Sequence, residues 1–302
     1  MNDIETERLR NHLTTIVRPR PSGSTELESL RGYVSEQLAQ FGWTVRRHEF
    51  ETVSEIGDRL TGIQLIATLP SPSPPADAWL CVAAHLDSRP ETPGADDNAT
   101  GVAALLEIAR CWPDWRPERG ADVELVVTDL EEHGMLGGAE HARLWLARSE
   151  RLIGMVALEM IGYCDQRPNT QALPKQLVGK YPTTGNFIAV IGNQNSASLI
   201  ESFGNGLKEI PRLPVETLQV PENGNLLQAV RLSDHSPFWD AGFPAVMITD
   251  TSFLRNPHYH RGSDAIETLD LEFLRQVTAG CLRAMRLVVR MPTETSSTVA
   301  AC

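Results

Sequence analysis

The 302-residue chain has no stretch approaching the ~18 consecutive apolar residues that a membrane span needs. It also lacks basic charge, with 27 Lys and Arg against 39 Asp and Glu and a formal net charge of −12. Binding to duplex nucleic acid or to an anionic membrane surface depends on a basic face, so neither partner is expected. Cysteine is scarce: Cys81, Cys111, Cys164, Cys281 and Cys302 are five in number, widely spaced, with no C-x-x-C pair. This excludes a disulfide framework and a thiolate zinc site, and leaves reduced thiols packing as small apolar groups. The first residues, MNDIETERLR, contain no apolar leader segment, which makes a cytoplasmic location the expectation. Repeats and linkers are absent too. One domain is therefore expected over residues 1–291, followed by a flexible tail over 292–302.

What is present is an alternation of helical and strand patterns in a chain with the 41% hydrophobic content of a globular protein. That alternation favours an α/β layer architecture. A helix is predicted from Thr25 to Phe41, with a Thr25–Glu28 capping box, an apolar stripe through Leu27, Leu30, Val34, Leu38 and Phe41, and a stop at Gly42. Strands are predicted from Trp43 and from Leu60, with a surface turn at PSPSPP after Leu69. WLCVAAH (Trp79–His85) is an unbroken apolar run of the kind found in strands buried on both faces. Further strands are expected at ADVELVVTD, Leu152–Met160, Phe187–Gly192, Pro214–Val220 and Pro244–Thr249. Helices are expected at ATGVAALLEIAR, through His141 and Trp145, and from an Asp270 N-cap to about Arg290.

Acidic and His residues recur at or just past the ends of these strands, where open α/β sheets place their sites. His85 and Asp87 stand two apart, so on extended backbone they point to one side, the arrangement of a metal-bound imidazole with a carboxylate behind it. Asp96 and Asp97 are adjacent in a turn before a helix that Asp97 or Asn98 caps, and two neighbouring carboxylates repel unless a cation or proton lies between them. Glu131 and Glu132 follow a buried strand. Glu159 falls inside the apolar run MVALEMIG with no Lys or Arg near it in sequence, so it must be paired, protonated or metal-bound. His258 and His260 lie in a loop after the last strand. Each cluster alone also fits an ordinary structural role. Together they supply an N/O donor set suited to hydrolysis with two divalent ions, Zn²⁺ foremost and Co²⁺ or Mn²⁺ as substitutes, with one carboxylate to bridge and one to act as base.

Six stretches carry a resemblance: AAHLDS, PGADDNATGVAALLEIAR, DLEEHGMLGGAEHA, ALEMIGY, SDHSPFWDAGFPAVMITD and YHRGSDAIETLD. In this order they resemble the di-zinc aminopeptidases, a family that includes bacterial leucyl aminopeptidases and the related glutaminyl cyclases. The last stretch departs from the family's common Y-H-T-P form but keeps the His. The resemblance implies a three-layer α/β/α sandwich around a mixed, mostly parallel sheet of about eight strands, with no inserted domain in residues 69–79. It also implies an exopeptidase acting on peptides with a free N-terminus. One zinc is then held by His85 and Glu159 and the other by Glu132 and His260, with Asp96 bridging and Asp87 orienting His85. Glu131 becomes the general base, Tyr259 and Arg231 stabilise the oxyanion, and Asp97 and Asp234 support the ligands. The Asp96–Asp97 junction resembles a cis peptide of relatives.

Two alternatives stay open. A glutaminyl cyclase shares the motif skeleton but works with one zinc. A binding protein on an inactive scaffold should have lost a ligand or the base, and none is missing here.

Overall fold

The computed structural model describes residues 3–69 and 78–290. The turn expected at PSPSPP and the tail over 292–302 lie outside the described residues. Eight strands form one mixed sheet in the order β1-β2-β4-β3-β5-β8-β6-β7. They are β1 (Thr44–Val53), β2 (Arg59–Thr68), β3 (Ala78–His85), β4 (Asp122–Thr128), β5 (Arg151–Leu158), β6 (Ile188–Asn193), β7 (Val215–Val220) and β8 (Ala245–Thr249). The inner strands β4, β3, β5 and β8 run parallel, while β2 and β6 join them antiparallel. Strand β5 ends at Leu158, so Glu159 sits one residue past the strand rather than inside it.

Helices cover both faces, giving the expected three-layer sandwich. The even-numbered residues of β3, Leu80, Val82 and Ala84, pack under α1 (Thr6–Ile16), α2 (Thr25–Gln40), α3 (Gly101–Trp115), α5 (Ala197–Lys208) and α7 (Leu271–Arg290). Cys81 and Ala83 point the other way, toward α4 (Leu136–Leu146) and the short α6 (His235–Asp240). This period-two division explains why the strand is apolar throughout. No helix among the described residues is long and apolar enough to cross a membrane.

Cap chemistry differs from the sequence expectation at α2. Ser24, not Thr25, accepts the Leu27 amide, and Glu28 is drawn instead to Arg31 and Arg47. At α7 the Asp270 carboxylate accepts the amides of Glu272 and Phe273, as an N-cap does. Helix α4 approaches β4 so closely that a Cβ on Gly137 would lie 2.1 Å from the Asp129 carbonyl.

A buried polar network ties α4 to β4. Glu124 accepts from His141 at 2.8 Å, Trp145 at 3.1 Å and Arg148 at 2.8 Å. Burial pushes its carboxyl up, but the bond to His141 and the charge of Arg148 outweigh burial and hold the pKa down to about 2. Because the folded pKa lies below the unfolded value, this stabilisation is present above about pH 4.5 and is lost as pH falls toward 2. Glu124→Gln is therefore expected to lower stability by about 3 kcal/mol at pH 7 in urea unfolding, with the difference shrinking below pH 4. The described cysteines are unpaired thiols, and Cys81, Cys111 and Cys281 are buried in the core.

Candidate metal centre

The parallel strands end along one edge of the sheet, and the residues there carry the chemistry. His85 closes β3, Glu131 and Glu132 follow β4, and Glu159 follows β5. The loop after β8 returns Tyr259 and His260 to the same edge, and the turn before α3 supplies Asp97.

At this edge, two sets of metal-type donors form among the described residues, His85–Asp97–Glu159 and Asp97–Glu132–His260. Asp97 belongs to both. Its Oδ1 lies 3.2 Å from His85 Nε2 and its Oδ2 lies 3.1 Å from His260 Nε2. Glu159 Oε1 is 3.5 Å from His85 Nε2, and Glu132 Oε2 is 3.3 Å from His260 Nε2. Glu131 stands beside the first set, with Oε2 3.9 Å from His85 Nε2.

The surroundings hold these groups in place. His85 Nδ1 faces the Asp87 carbonyl at 3.1 Å and its carboxylate at 3.5 Å, which leaves Nε2 directed at the cluster. The Asp87 carboxylate accepts the backbone amides of Glu131 and Glu132, fixing both acidic residues relative to His85. Asp264 accepts the amides of Asp96 and Asp97 at 2.9 and 3.1 Å. Fully buried Arg20 donates to the carbonyls of Leu86, Pro93 and Gly94, clamping the two loops together. Ser233 donates to Glu159 Oε2 at 2.8 Å, and half-exposed Arg89 reaches Glu132 Oε2 at 2.8 Å.

The electrostatics favour a cation. Burial raises the Glu159 carboxyl to about 7, and burial with the neighbouring charge of Glu159 raises Glu131 well above the carboxylate range. Burial works to lower the two imidazoles, but Glu159 and Glu131 lift His85 well above its ordinary value, and Asp97 and Glu132 lift His260 to about 9. Asp97 is held well below the usual range, because the His260 and His85 imidazoles facing its two oxygens outweigh burial. His85 Nε2 and Glu132 Oε1 are buried without a hydrogen-bond partner among the described residues. Orphaned buried donors and acceptors are rare, and here both face a knot of mutually repelling carboxylates. Imidazole and carboxylate donors without thiolate fit a divalent ion of the zinc type.

The structure departs from several sequence expectations. Asp96 does not stand between the donor sets: its carboxylate turns into the protein and accepts Gly162 N at 2.9 Å and Asn256 Nδ2 at 2.7 Å. Asp97, expected only to support the ligands, takes the shared position. The cis peptide is one residue further on, between Asp97 and Asn98. Arg231 is engaged with the Asn223 carbonyl and Asp240, and it does not line the central cavity. Asp234 binds Thr128 and the Gly138 amide, and so braces the start of α4. His258 bonds Ser263 instead of joining the cluster. Asp264, Arg20 and Ser233 were not singled out from sequence. Only Asp264 left a signal, an acid four residues after His260.

An α/β/α sandwich with a shared carboxylate between two His/carboxylate sets at its strand ends is suited to metal-dependent hydrolysis. The chain belongs to peptidase family M28, whose model matches residues 64–285. It is 32% identical over 291 residues to the Escherichia coli K12 protein YfbL, covering 91% of this chain and 85% of the relative. Its fold is similar to that of an aminopeptidase from Aneurinibacillus sp. strain AM-1 (TM-score 0.74, 16% identity, 98% of this chain and 97% of that one). It is also similar to the Porphyromonas gingivalis glutaminyl cyclase (TM-score 0.72, 19% identity, 94% of this chain and 99% of that one). Several further relatives, named as zinc metalloproteases or leucine aminopeptidases, are longer, and the chain spans about half their length. The expected enzyme class, a metallo-aminopeptidase hydrolase, agrees with the family and with the names of these relatives.

Proposed function

We propose that the protein is a zinc aminopeptidase that removes N-terminal residues from peptides, with two ions held by His85, Glu159, Glu132 and His260 and shared through Asp97. The observation that carries this reading is the placement of Asp97, whose two oxygens each face a different imidazole. When bound, zinc supplies Lewis acidity, polarising the scissile carbonyl and making a water acidic enough to attack.

The chain's own groups do the remaining work. Glu131 has its carboxylate beside the centre and lies in no donor set. It takes the proton of the attacking water and delivers it to the departing amine nitrogen. Asp87 fixes the backbone of Glu131 and Glu132, so base and ligand keep their spacing. The carboxylates around the centre attract the free α-ammonium of the substrate and so favour cleavage at the first peptide bond.

Tyr259 stacks on the His260 ring at 3.7 Å between centroids and lines the cavity beside it. Burial and the nearby Asp97 and Glu159 charges push its phenol far up, so it stays a neutral donor. It is placed to bond the developing oxyanion. Tyr259→Phe is expected to lower kcat by roughly 10–100-fold with KM and zinc content little changed. An unchanged kcat would reduce Tyr259 to a packing residue.

The complete second donor set favours the peptidase over the cyclase reading. Zinc-loaded protein incubated with short peptides and followed by mass spectrometry tests it: stepwise loss of single N-terminal residues is expected, and loss of ammonia from Gln-initiated peptides alone would mean a cyclase.

A further inference from the structure

The centre opens into a cavity of about 310 Å³ whose floor is the sheet itself. Strand register shows what lies along that floor. Glu159 follows Leu158, the partner of Ile248 on β8; the next β8 residue, Thr249, pairs with Ala189 of β6, which pairs with Glu216 of β7. A single row therefore runs from the metal-type donors through Thr249 and Ala189 to Glu216. It spans three inter-strand steps, or about 14 Å. The two small side chains in the middle keep the path open. The neighbouring row, Met247, Ile191 and Leu218, forms an apolar wall beside it.

Glu216 is out of place in such a cavity. Its neighbour Thr217 faces the opposite side of the sheet, where a Cβ on Gly204 of α5 would meet it, so Glu216 faces the cavity. It is half-buried, and among the described residues no hydrogen bond or ion pair engages its carboxylate. Burial raises its pKa, and the charge of Lys208 acts against that. A half-buried carboxylate beside apolar walls, with no hydrogen bond or ion pair of its own among the described residues, is open to a cationic ligand group. A long aliphatic stem with a cationic end suits both features.

We infer that this cavity receives the side chain of the substrate's N-terminal residue and that Glu216 selects a basic one, lysine or arginine. The inference rests on the aminopeptidase reading above. The apolar wall takes the methylene stem, and Glu216 pairs with the ammonium or guanidinium at its end.

The test compares tripeptides X-Ala-Ala in which X is lysine, arginine, leucine or norleucine, the last having the stem of lysine without its charge. For the zinc-loaded wild type, kcat/KM for lysine is expected to exceed that for norleucine by about 10–100-fold. Glu216→Gln should abolish that ratio, with circular dichroism and zinc content showing the variant folded and loaded. Equal or inverted wild-type rates, or a ratio unchanged in Glu216→Gln, would overturn the inference. A second readout does not depend on turnover: Glu131→Gln titrated calorimetrically with lysinamide and norleucinamide should bind lysinamide more tightly, and equal affinities would again overturn it. If no tripeptide is cut yet lysinamide binds selectively through Glu216, the pocket assignment stands and the aminopeptidase reading fails.

Discussion

Glu131→Gln is expected to lower kcat on the order of 10³-fold while leaving zinc content, KM and unfolding temperature close to those of wild type. The amide keeps the shape of the side chain and loses only the ability to take a proton. Glu131 lies in neither donor set, so metal loading should not change. Its main-chain amide, held by Asp87, is untouched by the substitution. Burial raises the carboxyl well above the ordinary range when no cation is near, and a bound cation opposes that shift, leaving a base able both to accept and to release a proton. Metal analysis and steady-state kinetics on the same preparation check this. A variant that loses zinc together with activity would make Glu131 a ligand and would leave the base unassigned.

The second large effect separates two neighbours. Asp97→Ala is expected to lose zinc on dialysis, with affinity reduced by more than the ~100-fold that follows loss of an orienting group. Its activity should fall to background. Asp96→Asn should keep its zinc and most of its activity, at a stability cost of roughly 1–3 kcal/mol, because Asp96 serves the Gly162 amide and Asn256 instead of the centre. Zinc content by atomic emission, with circular dichroism as the folding control, reads both variants. The reverse pattern, zinc lost from the Asp96 variant and kept by the Asp97 variant, would restore the sequence assignment.

That pair also marks how far the sequence could be read. Strand positions were legible, because buried strands leave continuous apolar runs. His85, Glu132, Glu159 and His260 were picked out through the motifs of the resembled family, and the structure brings them to one edge of the sheet. The choice between Asp96 and Asp97 was not legible, since side-chain direction in a turn depends on dihedrals that no periodicity encodes. Here Asp264 fixes those dihedrals by taking both amides from 167 or 168 residues away.

Arg231 failed for a related reason: a motif gives an Arg its place in sequence but not the carbonyl and carboxylate that capture its guanidinium. Helices α1 and α5 are missing from the sequence reading. In α1 the stripe of Leu9, Leu13 and Ile16 is diluted by charged neighbours. In α5 two internal glycines obscure the pattern; one of them, Gly206, allows close approach to Ala284 of α7. Arg20 left no trace at all, because an Arg in RPRPS reads as surface until the loops it clamps are known.

The central claim is cleavage at a free N-terminus by a zinc-loaded centre, and one measurement addresses it most directly. Paired peptides of identical sequence, one with a free and one with an acetylated N-terminus, are incubated with zinc-loaded wild type and with Glu131→Gln and followed by mass spectrometry. The account predicts stepwise loss of single residues from the free peptide in wild type only, with the acetylated peptide intact. Cleavage of the acetylated peptide at a similar rate, or no cleavage of either by protein shown to contain zinc, would contradict it.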